Sequence, residues 1–326
     1  MFSLPIGLNF ILLTLVIVAS LVAILQASRD KITNSARWIP ISLGLILFTL
    51  IATLVVPSTA GYVSAALWIL LAIVPSIGFR LSNHYFYRGS YRRAYRLKAW
   101  LTWLHPLADW PWQSAIFQAY CALHDGDRTL IKQLETAPTI EARAERQLFA
   151  YALNHQWEPL LNWWSNHATA TALLSPTGIG RYFLWALGET GRLNELVANV
   201  VALQENATPL PAMFDYAQLY LFAFGGKVAE TQLLIESRLR DRVNPEIALL
   251  WLATAHYAAD HPERGRALLR TLQQATHDGV VHYMLEERLR RPILPARQLL
   301  SHEAAQALDK QATEWQERMR LLAQWS

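Results

Sequence analysis

Residues 186–193 read Ala186-Leu187-Gly188-Glu189-Thr190-Gly191-Arg192-Leu193: an apolar helix end, a polar turn with two glycines, and the opening of another helix. Glycine accepts the left-handed conformation that closes a helix C-terminus, so this stretch predicts two helices joined tightly. Outward from it the same arrangement recurs in Leu123-His124-Asp125-Gly126-Asp127, Leu153-Asn154-His155-Gln156-Trp157, Phe224-Gly225-Gly226-Lys227 and Ala259-Asp260-His261-Pro262-Glu263. Counted to the residue that opens the second helix (Asp127, Trp157, Arg192, Lys227, Glu263), the intervals are 30, 35, 35 and 36.

An interval near 34 is the period of tetratricopeptide-type units, in which stacked helix pairs bury their apolar faces against neighbours. Past Arg80 no run shows the period-two alternation of a strand. An earlier unit is expected at Gly89-Ser90-Tyr91-Arg92-Arg93-Ala94-Tyr95-Arg96-Leu97, closed by Pro106. Ile247-Ala248-Leu249-Leu250-Trp251-Leu252-Ala253 is apolar all round but far too short to cross a bilayer, which suits burial between repeat helices. From Ser301 to Ser326, Ala304, Leu308, Ala312, Trp315, Met319 and Leu322 form one apolar stripe, as expected of a helix that caps the open end of a stack.

The N-terminus is of another kind. Ile6 to Leu25 is an uncharged run of 20 residues, enough for a helix to cross a hydrocarbon core of about 30 Å. Met1 to Asn9 holds no Lys or Arg, against a cleaved signal peptide. Trp38 to Val56 and Tyr62 to Phe79 are further uncharged runs, joined by Pro57-Ser58-Thr59-Ala60-Gly61, and Pro75 is placed to kink the second of them. The expected fold is all-α: three transmembrane helices, then a tetratricopeptide-like α-solenoid of about six to seven helix pairs. The expected boundaries are 1–80 for the anchor, 81–300 for the helical repeat and 301–326 for the capping helix.

Charge gives the anchor its sides. The net charge is +4, yet from Met1 to Leu107 a single acid, Asp30, faces nine bases, leaving −4 for the remainder. Lys and Arg beside membrane segments stay in the cytoplasm. Arg29, Lys31 and Arg37 therefore place the first loop inside, and Arg80, Arg88, Arg92, Arg93, Arg96 and Lys98 place everything after the third helix there too. The expectation is a multi-pass membrane protein with its N-terminus outside, a cytoplasmic soluble domain, and a basic stretch able to meet membrane lipid. With the positive charge explained by the anchor's flanks, nucleic acid is not an expected partner.

Catalytic chemistry finds no foothold. Cys121 is the only cysteine, which excludes an internal disulfide and zinc sites built on cysteine pairs, and it reads as a small apolar core residue. The ten histidines include no pair at the four-residue spacing of helical zinc ligands; they read as turn or surface residues. Gly178-Ile179-Gly180 and Gly188-Glu189-Thr190-Gly191 lack the following Gly-Lys-Ser/Thr of a phosphate loop, and no Gly-x-Ser-x-Gly elbow is present. Asn206-Ala207-Thr208 is a formal glycosylation acceptor without meaning on a cytoplasmic face. The sequence thus assigns no catalytic, cofactor-binding or metal-ligating residue, requires no cofactor, and leaves the binding residues unknown. The 13 tryptophans, among them Trp100, Trp103, Trp110, Trp112, Trp163 and Trp164, read chiefly as core, with partner contact the alternative.

Ala60-Gly61-Tyr62-Val63 through Leu67-Trp68, Pro75, Arg80-Leu81 and Leu104-His105-Pro106, with Ala186 to Gly191, Leu221-Phe222-Ala223-Phe224 and Trp251-Leu252-Ala253-Thr254-Ala255, resemble one bacterial family. They are similar to the N-terminal portion of long rhomboid-family intramembrane serine proteases, where membrane helices and tetratricopeptide-like repeats precede the protease domain. That domain would bring a further membrane bundle with Gly-x-Ser-Gly, whereas here no apolar span follows Phe79 and Gly89-Ser90 lies in a basic turn. No catalytic residue carries over. The expected function is a membrane-anchored helical-repeat scaffold holding a protein partner, such as a membrane protein or rhomboid-type protease. The alternative is the non-catalytic regulatory or substrate-presenting region of such a protease, and the resemblance implies a bacterial inner membrane.

Overall fold

The computed structural model describes residues 7–29, 38–104, 110–130, 140–167, 180–206, 211–291 and 293–324, and among these it contains helices and turns but no strand. The chain is all-helical. Lys31, Arg37 and Pro106 fall outside the described residues. By contacts it forms two compact units, residues 1–83 with 96–110, and residues 84–95 with 111–326. Residues 96–110, expected in the repeat, thus group with the N-terminal unit.

That unit is built on α1 (Leu8–Arg29), α2 (Trp38–Val55) and α3 (Ala60–Trp68, continuing through a π-helical turn Ile69–Ile73 into Val74–Tyr87), which pack on one another. Two of them, α1 over Leu8–Leu25 and α3 over Ala60–Tyr87, are long and apolar enough to cross a membrane; the apolar part of α2, Ile39–Val55, is shorter. The π turn sits just before Pro75, where a proline's missing N–H and its ring would otherwise collide with the carbonyl four residues back. The packing is inverted relative to a water-soluble bundle. Small or polar Ser20, Ser42, Ala60 and Ser64 are buried, while Phe10, Leu47, Leu54 and Ile77 are more than half exposed. The Asn9 side chain ties the helix ends together, donating to the Pro57 carbonyl (2.8 Å) and accepting from the Gly61 N–H (2.7 Å).

In α4 (Tyr91–Leu104), Leu101 is fully buried against Gly78, where a Cβ would stand 2.6 Å from a Leu101 methyl. Trp100 and Trp103 point elsewhere and are 54% and 82% exposed, against the expectation that they pack in a core. Leu101 alone takes the contact face of that turn.

The larger unit runs through α5 (Trp110–His124), α6 (Ile140–Leu153), α7 (Trp157–His167), α8 (Gly180–Glu189), α9 (Leu193–Asn206), α10 (Pro211–Phe224), α11 (Val228–Leu234 with a π turn Ile235–Leu239), α12 (Pro245–Ala258), α13 (Pro262–Ala275), α14 (Gly279–Arg290) and α15 (His302–Gln324). Its turns share one geometry. Gly89, Gly126, His155, Gly191, Gly226 and Asp260 all have φ between 52° and 85°. After each, the next N–H returns to a carbonyl five residues earlier: Ser90 to Tyr85, Asp127 to Ala122, Gln156 to Tyr151, Arg192 to Leu187, Lys227 to Phe222 and His261 to His256. This is the Schellman closure, which caps the carbonyls a helix end leaves bare. From Gly126 these positions fall 29, 36, 35 and 34 residues apart.

From α6 to α14 each helix packs on the next, and α6, α8, α10, α12 and α14 also pack in succession on one another. Gly188 on α8 allows the closest of these approaches, since any Cβ there would overlap the Phe224 ring of α10. The series then returns to its beginning. Tyr91, Leu123 and Val280 form one buried cluster, and a Cβ on Gly279 would lie 2.7 Å from the His124 carbonyl oxygen. Arg128 pairs with Glu286 (2.8 Å) and lies over the Tyr283 ring. α15 buries the anticipated stripe of Ala304, Leu308, Ala312 and Trp315, but its principal neighbours are α9, α10 and α11 rather than the last helices. The bare Gly225 beside Leu308, the Lys227–Asp309 ion pair and the Gln316 to Glu230 hydrogen bond hold it there.

Candidate functional site

The alternate helices line a partly open cavity of about 190 Å³ in the larger unit. Its walls come from residues 86–91, α5, α6, α8, α10, α12 and α14, so segments spread over nearly 200 residues of sequence meet there. The rings are interlocked. Phe86 stands edge-on to Tyr91 (5.3 Å) and Tyr120 (4.8 Å), while Trp185, Tyr220 and Trp251 pack mutually with centroids 5.1–6.1 Å apart. Such edge-on and offset contacts suit the ring quadrupole and stiffen the wall.

Arg181, the second residue of α8, projects into this aromatic setting. Its Nη2 donates to the Tyr182 hydroxyl at 2.6 Å, and its guanidinium lies 4.7 Å from the Tyr182 ring centre and 5.7 Å from that of Tyr216. Among the described residues no carboxylate pairs with it, and none lines the cavity. Burial opposes the charge, but an arginine side chain does not give up its proton in proteins, so the guanidinium stays charged. Arg242 also borders the cavity, but Asp215, itself 2% exposed, accepts from it at 2.9 Å and from Arg238 at 3.5 Å.

The polar groups around Arg181 are neutral. Burial pushes the Tyr120 and Tyr220 phenols up, and neither hydroxyl has a hydrogen-bond partner among the described residues. Burial likewise pushes Tyr91 up, reinforced by Asp278, to which its hydroxyl donates at 3.3 Å. Asp278 also caps α14 by accepting from the Val280 N–H at 2.9 Å. His155 lies in the left-handed turn after α6, is 8% exposed, and its Nε2 has no hydrogen-bond partner. Burial first, then the charges of Arg288, Arg291 and Arg128, push its pKa down to about 4. Behind this wall Arg288 and Glu189 form a buried ion pair, 9% and 8% exposed, and Glu189 also accepts from the Trp185 indole N–H at 2.8 Å.

No family model, curated protein or solved structure matches this chain. The site therefore stands on its own geometry.

Of the residues singled out in the sequence, Gly188 and Gly191 lie where expected, at the end of α8 and in its turn. Trp164 is buried; Trp163 is half-buried and stacks on His167. Cys121 is half-buried rather than fully enclosed, and burial pushes its thiol up. The side chains of Trp110 and Trp112, and the residues Gly178, Ile179, Ala207 and Thr208, lie outside what is described. Sequence reading missed Arg181 and the tyrosines around it. One signal was available: Arg181 is the lone cation of the apolar run Gly180-Arg181-Tyr182-Phe183-Leu184-Trp185, where a charge conflicts with burial.

Proposed function

We propose that this chain is a membrane-anchored helical-repeat scaffold, not an enzyme, that holds a protein partner at the cytoplasmic face of a bacterial inner membrane. The observation that carries the reading is the recurring left-handed turn and the successive packing of α6, α8, α10, α12 and α14. Alternate helices stacked in this way occur in tetratricopeptide-like repeats, whose inner faces serve as binding surfaces, and here the last helices also close back on the first. The anchor comprises three spans in this reading, α2 included. Small polar residues inside and large apolar residues outside suit a bundle whose solvent is lipid. The resemblance to rhomboid-type proteases keeps such an enzyme among the candidate partners. Pull-down of the full chain from membranes, beside a chain lacking residues 111–326, tests the scaffold role. Partners retained only by the full chain are expected; identical partner sets would overturn it.

A further inference from the structure

We propose that the cavity around Arg181 is a binding site for a small aromatic monocarboxylate. This goes beyond the scaffold role and does not depend on it, since the cavity is formed by this chain alone. Three observations converge. First, Arg181 places among rings a positive charge that no described residue compensates, and burying a lone charge is costly until a counter-ion arrives. Second, Tyr120 and Tyr220 line the same space, and among the described residues neither hydroxyl has a hydrogen-bond partner. Phenols kept neutral by burial donate to an anion. Third, the remaining wall is flat and apolar, led by Trp185 and Trp251, which suits the faces of a ring.

Charge matching narrows the class. The second cation on the wall, Arg242, is paired with Asp215, which Arg238 shares, so Arg181 is the one wall cation with no acid of its own among the described residues. That favours a carboxylate over a phosphate monoester, which carries nearly two negative charges at neutral pH. The volume of about 190 Å³ is below the roughly 300–1,000 Å³ of drug-sized sites, which limits the ligand to about a single substituted ring. Arg fits carboxylates through its planar fork of donors, and one of these already rests on Tyr182, leaving others for the ligand.

The test is titration calorimetry on the full chain in detergent with 4-hydroxybenzoate, phenylacetate, phenyl phosphate and the neutral analogue 4-hydroxybenzamide. At least one of the two acids is expected to bind, with the benzamide and phenyl phosphate at least about tenfold weaker, the loss expected when a buried charged hydrogen bond is left unmatched. Arg181→Gln should lose about tenfold or more in affinity without lowering the thermal midpoint of the unliganded protein, because no ion pair is broken. Tyr220→Phe, which keeps the ring, should weaken the acid by a few-fold to about tenfold. The proposal is overturned if neither acid binds at millimolar concentration, if benzamide binds as well as acid, or if Arg181→Gln binds undiminished. A fall in the unliganded midpoint of Arg181→Gln would also overturn it, by giving Arg181 a structural role. So would binding of a peptide ending in phenylalanine when neither free acid binds, since that assigns the site to a polypeptide end.

Discussion

Arg288→Leu should destabilise the protein by about 3–5 kcal/mol, read as a lowered midpoint in chemical denaturation of the full chain in detergent. Arg288 on α14 donates through Nη1 to Glu189 Oε2 at 2.9 Å and through Nη2 to Oε1 at 2.5 Å, joining residues 99 apart in sequence. Both side chains are over nine-tenths buried. Removing the guanidinium leaves Glu189 enclosed with the Trp185 indole as its remaining donor, and an unpaired buried carboxylate is far costlier than the intact pair was favourable. The double variant Arg288→Leu with Glu189→Leu should recover much of the loss, because an apolar pair can replace a buried ion pair at little cost. A single-variant effect below about 1 kcal/mol would show that the pair is not enclosed and that α8 and α14 do not meet there.

Between pH 6.5 and pH 4 the protein should lose about 3 kcal/mol through His155 alone. The sign follows from proton counts. Above pH 6.5 the imidazole is neutral in both folded and unfolded chains, so His155 contributes no slope. Below it the unfolded histidine takes up a proton that the folded one refuses down to about pH 4, so stability falls with pH across that window. Burial and the cations Arg288, Arg291 and Arg128 enforce the refusal, with the Tyr283 ring packed at 4.9 Å. Carboxylates elsewhere titrate in the same range, so the measurement is a difference. His155→Asn, whose new side chain tolerates the left-handed turn, should show a shallower acid dependence than wild type by this amount. Parallel curves would contradict the burial of the ring.

Helix placement was legible because it rests on local chemistry. Gly191 and Gly226 marked their turns, and the interval between turns was set by residues that close one helix and open the next. His155 and Asp260 occupy the same left-handed position without glycine, so their turns were found from flanking apolar ends rather than from the residue itself. The stripe of α15 was equally readable from its spacing, but its neighbours were not. A stripe declares that it will be buried without naming the partner, and here bare Gly225 and the Lys227–Asp309 pair select α9 to α11.

The candidate site was hidden for a related reason. Tyr91, Tyr120, Tyr182, Tyr220 and Trp251 read individually as core aromatics, and only the return of α14 to α5 closes the wall they share. That Arg181 lacks an acid among the described residues is a property of the folded molecule, since Glu189 on the same helix and Asp215 on α10 are committed to Arg288 and Arg242. The N-terminal unit shows the converse: three apolar runs announced helices, while the burial of Ser20, Ser42 and Ser64 with Phe10, Leu47 and Leu54 turned outward emerged only from packing.

The proposed topology, three spans with the helical domain on the cytoplasmic side, is tested by labelling single cysteines. In a Cys121→Ala background, Ser58→Cys lies in the exposed turn between α2 and α3, and Ser90→Cys follows α3. In intact cells a membrane-impermeant thiol reagent should modify the cysteine at position 58 and spare that at 90 until the membrane is permeabilised. Protection at 58 together with labelling at 90 would reverse the orientation, and labelling at both before permeabilisation would remove α3 as a span.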